Sequence, residues 1–283
     1  MKKHILLLLI VIATACHAQR DKHTFSETIS KEYSVNFNTT LALYNLNGDV
    51  DIEGYDGNVV RVEIKKTISA QTEDLLNEGK RDFRLSFNKN SDSLIVYISE
   101  PWDTHPNRNY EKEDWQNRKP VEYQVELNYK VQVPNSLNVR ASTVNGGEVV
   151  VRNVAGQLHV NNVNGGITIE DAQATTRAHT VNGNVMVNYL KNPLKASSYH
   201  TINGNINVTY QPNLAADLTF KSINGEYFTE FKNYKLLPNE VEESKSGNGT
   251  KYKVSSRSPI RIGNGGTKLK FETLNGDIYI KRG

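Results

Sequence analysis

Short blocks in which apolar and polar residues alternate run through most of this chain. Tyr33–Phe37, Val59–Ile64, Phe83–Phe87 and Val121–Leu127 follow that pattern, and Leu41–Tyr44 and Leu94–Ile98 are short continuous apolar runs that read as strands as well. Alternation sends successive side chains to opposite faces, so each block predicts a strand with one face inward. Asp56-Gly57-Asn58 reads as a turn between two of them. One stretch departs from the pattern. Thr72 to Lys80 predicts a helix, with Thr72 as its cap, Glu73 and Asp74 in the first turn and Gly79 near its end.

A longer period overlies the alternation. An aliphatic residue, Asn-Gly, a small or polar residue and then an aliphatic or Tyr recur at Leu46–Val50, Val163–Ile167, Val181–Val185, Ile202–Ile206, Ile223–Tyr227 and Leu274–Ile278. Val144–Val149 is a seventh copy with one extra residue. From Asn145 the asparagines fall at 164, 182, 203 and 224, in steps of 19, 18, 21 and 21. A fixed period near 20 residues marks a stacked repeat architecture. The Asn-Gly pairs (Asn47-Gly48, Asn145-Gly146, Asn164-Gly165, Asn182-Gly183, Asn203-Gly204, Asn224-Gly225 and Asn275-Gly276) read as structural turns, because both residue types tolerate positive φ. The aliphatics on either side are expected to point inward.

Asn-Gly between alternating runs is also the strongest hairpin signal, which would give an antiparallel meander. The columns favour a parallel β-solenoid with about 20 residues per coil. Thr143, Thr180, Thr201, Ser222 and Thr273 all precede the aliphatic position, and like residues stacked at about 4.8 Å would form hydroxyl ladders. A meander gives no reason for such columns to match. Two insertions interrupt the array, near 100–120 and 228–259. The second contains Lys245–Thr250, a flexible-loop signal, and is a candidate cap. The last repeat, Leu269 to Ile280, is expected at or near one end of the stack.

These repeats, over about residues 35–283, resemble a bacterial family of putative adhesins, a domain of unknown function related to the head domain of putative auto-transporter adhesins. The residues that carry the resemblance are Leu46–Ile52, Val144–Val151, Val163–Ile169, Val181–Val187, Ile202–Val208, Ile223–Phe228 and Leu274–Ile280. The resemblance implies an all-β fold, a right-handed parallel β-helix with loop insertions, and almost nothing about mechanism.

Residues 1–18 read as a signal peptide: Met1-Lys2-Lys3 is basic, and Ile5–Ile12 is an apolar run too short to span a bilayer. Two processing routes remain open. Cleavage after Ala18 would leave Gln19 first. Alternatively, Ala13-Thr14-Ala15-Cys16 resembles a lipobox, which would make Cys16 a lipidated anchor and the one attachment to a membrane. Residues 19–34 read as a polar lead-in, and 35–283 as one solenoid domain. The expected location is exported: periplasm, outer membrane or surface of a bacterium.

Composition narrows the chemistry. Lys and Arg number 34 against 31 Asp and Glu, a net charge of +3, which makes no electrostatic case for nucleic acid. Cys16 is the single cysteine, so the mature chain offers no disulfide or thiol chemistry. His179 and His200 share a column three residues before the repeat Asn, where two stacked imidazoles could hold a metal ion. That column also holds Ser142, Asn161, Lys221 and Glu272, which reads as a variable outward face, and His159 lies outside it. Asp49, Glu226 and Asp277 share the column two residues after Asn, and paired carboxylates serve glycoside cleavage. The central copies carry Gly166, Asn184 and Asn205 there, so turn chemistry accounts for the preference.

The insertion near 100–120 concentrates aromatics and charge. Trp102, Tyr110 and Trp115, with Arg108, Glu111, Lys112 and Tyr123, form a candidate contact surface. The competing account is that the two Trp pin the insertion onto the core. No catalytic residue, cofactor or metal site is expected. The expected function is a non-enzymatic, adhesin-like scaffold or binding protein, with a glycan or another envelope or extracellular protein as partner. The alternatives are a carbohydrate-active β-helix enzyme and an envelope-stress accessory protein.

Overall fold

A computed structural model describes residues 22–106, 120–239, 241–246, 249–254 and 259–283. The chain is all-β, with 57% of residues in strands and 4% in helix, so the expected class holds. Its first part forms β1 (His23–Ser34), β2 (Thr40–Tyr44), β3 (Val50–Tyr55), β4 (Val59–Ala70), α1 (Glu73–Asp82), β5 (Arg84–Lys89) and β6 (Ser93–Glu100). The central part forms β7 (Tyr123–Pro134), β8 (Asn138–Ser142), β9 (Val149–Arg152), β10 (Leu158–Asn161), β11 (Ile167–Ala172), β12 (Thr176–His179), β13 (Val185–Tyr189), β14 (Ser197–His200) and β15 (Ile206–Tyr210). The last part forms β16 (Ala216–Lys221), β17 (Tyr227–Thr229), β18 (Tyr234–Leu236), β19 (Val241–Ser246), β20 (Gly249–Val254), β21 (Ile260–Ile262), β22 (Thr267–Glu272) and β23 (Ile278–Arg282).

These strands form two long sheets and a separate hairpin, β19–β20. Sheet A runs β1-β4-β7-β3-β9-β11-β13-β15-β23-β17, and sheet B runs β18-β21-β16-β22-β14-β12-β10-β8-β2-β6-β5. Successive strands of the repeat array alternate between the sheets, and each pairs in parallel with its counterparts in neighbouring repeats. The antiparallel meander is thereby excluded. Each repeat unit is one strand of sheet B, a corner, and one strand of sheet A. Eight such units stack, in the order β6/β7, β2/β3, β8/β9, β10/β11, β12/β13, β14/β15, β22/β23 and β16/β17.

The two sheets bury their facing sides. In sheet A, Val50, Ile52, Val149, Val151, Ile167 and Ile169 are wholly inside, and Leu41, Leu43, Val139 and Val160 face them from sheet B. Each such side chain contributes about 1.5–3 kcal/mol by leaving water, but only against a neighbouring unit, because one strand cannot cover its own apolar face. Further along, Tyr189, Tyr199 and Tyr210 fill the core. Their hydroxyls satisfy each other at 2.7 and 3.0 Å, and burial pushes all three phenols up from the ordinary value.

The chain order departs from the stacking order at both ends. β6/β7 lies outside β2/β3, although it follows it in sequence. At the far end β16/β17 is laid down before β22/β23, which then enters between it and β14/β15. The last repeat therefore lies second from one end, near the end as expected but with β16/β17 outside it. The reason is a skipped slot. After β15 the chain makes the outermost unit first and returns through β21 to fill the gap.

Antiparallel strands finish three of the four sheet ends: β4 and β1 beside β7, β5 beside β6, and β21 and β18 beside β16. Residues 23–34, expected as lead-in, pair with β4 along their whole length. The 228–259 insertion supplies β18 to the end of sheet B. At the expected loop Lys245–Thr250, Lys245 pairs with Thr250 and Ser246 with Gly249 at the ends of β19 and β20, and residues 247–248 lie outside the described residues. The predicted helix is present as α1; Thr72 Oγ1 accepts from the backbone N–H of Leu75, and Leu76 and Gly79 are buried. Gly79 leaves room for the rings and methyls of Tyr123 and Ile68.

Val185 sits fully buried between Ile167 and Ile206 of the adjacent units. Val185→Asp places an unpaired carboxylate in that stack and is expected to cost more than about 4 kcal/mol. Denaturant unfolding of the purified variant measures it; a loss under about 1 kcal/mol would show that the two faces do not form one core.

Candidate functional site

The repeat corner is the most regular feature, and three columns build it. The first is an asparagine ladder. Each Asn donates its amide to the side-chain oxygen of the Asn in the preceding unit: Asn145 to Asn47 (3.1 Å), Asn164 to Asn145 (3.2 Å), Asn182 to Asn164 (2.8 Å), Asn203 to Asn182 (2.7 Å), Asn275 to Asn203 (2.7 Å) and Asn224 to Asn275 (2.7 Å). Asn47 closes the series on the carbonyl of Val125.

The second column is glycine. A Cβ on Gly165, Gly183, Gly204, Gly276 or Gly225 would fall well inside contact with the carbonyl oxygen of the preceding glycine. In the copy with the extra residue it is Gly147, and not the expected Gly146, that stacks on the Gly48 carbonyl; nothing approaches Gly146. The expected positive φ holds for Gly48, Gly146, Gly183, Gly204 and Gly276 but not for the ladder asparagines; among the described residues the non-glycine residues with positive φ are Asn153 and Asp171.

The third column donates to those same carbonyls. Thr143, Thr180, Thr201, Thr273 and Ser222 bond the glycine oxygen of the preceding unit at 2.8–3.3 Å. In the two remaining copies an amide donates instead: Asn162 to the Gly147 carbonyl of the preceding unit, and Asn45 to the Leu127 carbonyl of β7 and to the Gly48 carbonyl of its own unit. No hydroxyl ladder forms, because each hydroxyl faces a backbone acceptor. The Thr and Asn donors are buried and Ser222 is half-buried, whereas the aliphatic residue after them is not buried: Ile223 is 66% exposed and Leu274 38% exposed. The expectation that this aliphatic points inward fails, since the inward place belongs to Thr or Asn.

The carboxylate column has an equally plain role. Asp49, Asn184, Asn205 and Asp277 each accept the backbone N–H of the next unit, from Glu148, Asn205, Asp277 and Glu226 at 2.8–2.9 Å. Asp and Asn serve alike as acceptors, which explains why both occur there. Carboxylates do gather on the outer face of sheet A, where β1, β4, β7, β3 and β9 form two adjoining clefts of about 470 and 520 Å3. Asp49, Asp51, Glu63 and Glu148 line them beside Lys65, Lys130, Arg61 and Arg152. Arg152 bridges Asp51 at 2.6 Å and Glu170 at 3.2 Å.

The insertion replaces the corner of the β6/β7 unit. Trp102 is half-buried against the core, its ring 6.0 Å from that of Tyr123. Thr104 donates to the Tyr44 carbonyl, and His105 lies edge-on to Tyr97 at 4.8 Å. Trp102 thus pins the start of the insertion. Tyr110, Trp115 and Cys16 lie outside the described residues.

On the outer face of sheet B, His179 and His200 stand 5.8 Å apart between ring centres, and His159, read as separate, lies 6.5 Å from His179. Among the described residues no three His, Cys, Asp or Glu are placed to hold a metal ion. Burial first, and then Arg140 and Arg177, hold the His159 imidazole below its ordinary value. His179 is lowered by burial, then by His200, His159 and Arg177, with Glu272 opposing.

No protein-family model and no curated protein matches this chain. Among solved structures it is similar to a putative cell adhesion protein from Clostridium sporogenes, with a TM-score of 0.42 and 10% identity over 91% of this chain and 100% of that one. It is also similar to a putative adhesin from Bacteroides fragilis (0.39, 12%, over 90% and 97%) and to a putative lipid binding protein from Parabacteroides distasonis (0.31, 12%, over 90% and 96%).

Two predictions follow from these columns and rings. Gly183→Ala is expected to cost about 3 kcal/mol, through close approach, and Gly146→Ala about 1 kcal/mol, through its φ of +67°. Thermal melts decide, and the reverse order would restore the turn explanation. The histidines set a pH dependence. The unfolded chain protonates His159 and His179 more readily than the folded one, so stability falls as pH drops through about 6.5 and levels below the folded values. The double variant His159→Gln/His179→Gln should lose less stability than the wild type between about pH 7.5 and pH 5. Equal losses in urea titrations would place the pH response elsewhere.

Proposed function

We propose that this protein is a non-enzymatic, exported envelope protein: a right-handed β-solenoid with about 20 residues per coil that serves as an adhesin-like binding scaffold. One observation carries the reading. The repeated residues are consumed in joining unit to unit, through the amide ladder, the glycine carbonyls and the side-chain acceptors, while the outward positions of both sheets vary freely at strand spacing. A regular frame with variable faces suits recognition of extended partners, since each unit adds a row without altering the frame. The basic Met1-Lys2-Lys3 and the apolar Ile5–Ile12 support export, with Cys16 as a lipid anchor or Gln19 as the mature start. No described helix is long and apolar enough to cross a membrane.

A second reading draws on the clefts of sheet A. Asp49, Asp51, Glu63 and Glu148 gather there, and a pair of carboxylates is the equipment of glycoside cleavage. The ion pairs of Arg152 with Asp51 and Glu170 give a structural role to part of that cluster and favour the non-enzymatic reading.

An array of glycans and extracellular proteins, probed with the wild type and with Trp102→Ala and Trp115→Ala, separates the accounts. Binding of the wild type is expected. Because Trp102 packs on Tyr123, Trp102→Ala should lower the melting temperature and leave binding nearly intact. No binding anywhere would remove the scaffold reading. Release of reducing ends from a polysaccharide, abolished by Asp51→Asn or Glu63→Gln, would establish the enzyme in its place.

A further inference from the structure

The outer face of sheet B carries a line of cations that the frame does not need. Parallel pairing puts Arg140, His159, Arg177, Ser198 and Lys270 at matching positions on β8, β10, β12, β14 and β22. Permanent cations stand on every second strand, so Arg140, Arg177 and Lys270 follow one another at about 10 Å, twice the strand spacing. His159 fills the gap between the two arginines, and His179 and His200 flank it on the next row. Arg140, Arg177 and Lys270 are exposed. Lys270 shares Glu272 with Lys221 and His200, at 3.2, 4.0 and 3.8 Å. Among the described residues Arg140 and Arg177 make no ion pair, and their charges press instead on His159.

We propose that this row is a binding site for an extended anionic polysaccharide lying across the strands of sheet B, a proposal that rests on the binding-scaffold reading and names its ligand. A repeat of about 10 Å between fixed cations is close to the advance of one disaccharide along an extended glycan. Acid groups borne once per disaccharide would meet Arg140, Arg177 and Lys270 in turn. Ser198 within the row, and Ser142 and Asn161 on the next row, offer hydrogen bonds to hydroxyls. Other occupants fit less well. The large exposed apolar side chains include none from β8, β10, β12 or β14, so nothing there enters a bilayer or anchors a folded protein. The two clefts described above lie on sheet A, away from this face.

Protons are coupled to occupancy. Arg140 and Arg177 face His159, and Arg177, His200 and Glu272 face His179, with Lys270 one strand away. A bound polyanion offsets the cations, raises both imidazoles and draws protons in, so binding strengthens as pH falls through the histidine range.

The test is retention of the full chain on immobilised polygalacturonate and dextran sulfate, with uncharged dextran as blank. The wild type should be retained at low ionic strength and released by salt, since exposed charges are screened. Arg140→Glu/Arg177→Glu should bind about tenfold more weakly or less, and Arg140→Lys/Arg177→Lys should recover most of the loss, because each contact adds to the avidity of a linear ligand. Lys191→Glu/Lys281→Glu carries the same charge change away from the row and should stay within about twofold. Retention should rise from about pH 7.5 to pH 5.5, and His159→Gln/His179→Gln should flatten that rise. Equal losses in the two charge-reversed variants would show net charge alone and overturn the site. Retention on phosphatidylglycerol vesicles but on neither polysaccharide would assign the face to a membrane and overturn it too. Absence of polyanion binding, with other array ligands still bound, sinks this site and leaves the scaffold reading standing; absence of all binding removes both.

Discussion

The fold depends on how closely one unit can approach the next at the corner. There a glycine carbonyl of one unit lies against the α-carbon of the following glycine and receives the buried hydroxyl or amide two residues before the following Asn. The same oxygen is a steric limit and a hydrogen-bond acceptor. Any side chain on the glycine would push the units apart, and the pairing of both sheets would open with them. Each donor contributes about 1 kcal/mol, but the larger effect of its loss is a buried carbonyl left without its side-chain partner. That double constraint recurs at six successive contacts between units and holds the spacing at which the aliphatic core closes.

Much of this was legible in the sequence. Alternation gave the strands, the period of the asparagines gave the units, and the Thr column signalled parallel stacking, since like residues align only when equivalent positions stack. The roles within the corner were less legible. Thr143 and Asn162 look unlike each other until one sees that both donate to the preceding unit. Gly146 and Gly147 cannot be distinguished by type, and only the contact with Gly48 does so. The asparagine ladder lay hidden behind a local explanation, because Asn-Gly is also the commonest turn pair and turn propensity requires no neighbour.

Stacking order was hidden for a different reason. Periodicity records that units are equivalent and is silent on which lies beside which. Leu269–Ile280 is a regular repeat by composition, and nothing in it reveals that β22 and β23 enter between β14/β15 and β16/β17. The gap they fill can exist only until they arrive, so the outermost unit has no parallel partner in either sheet before the end of the chain docks. Such long-range closure is slow compared with adding the next unit in sequence. Antiparallel additions at three sheet ends suit the same physics, because an open parallel edge is a template for further pairing.

The distribution of charge follows from the frame. Where the repeat breaks, near 100–106, the side chains are engaged in holding the insertion down: Trp102 on Tyr123, Thr104 on Tyr44. Where the repeat is most regular, the inward columns and the corner are fixed, and on sheet B the outward Arg140 and Arg177 form no ion pair among the described residues. Selection for binding can act on those positions without disturbing the core, and parallel register converts any preference into an evenly spaced row. A cation at alternate strands is therefore a linear pattern written by the frame. An irregular insertion can supply anchors, but it cannot supply a fixed repeat distance. Recognition of a repeating ligand belongs on the part of the molecule that itself repeats.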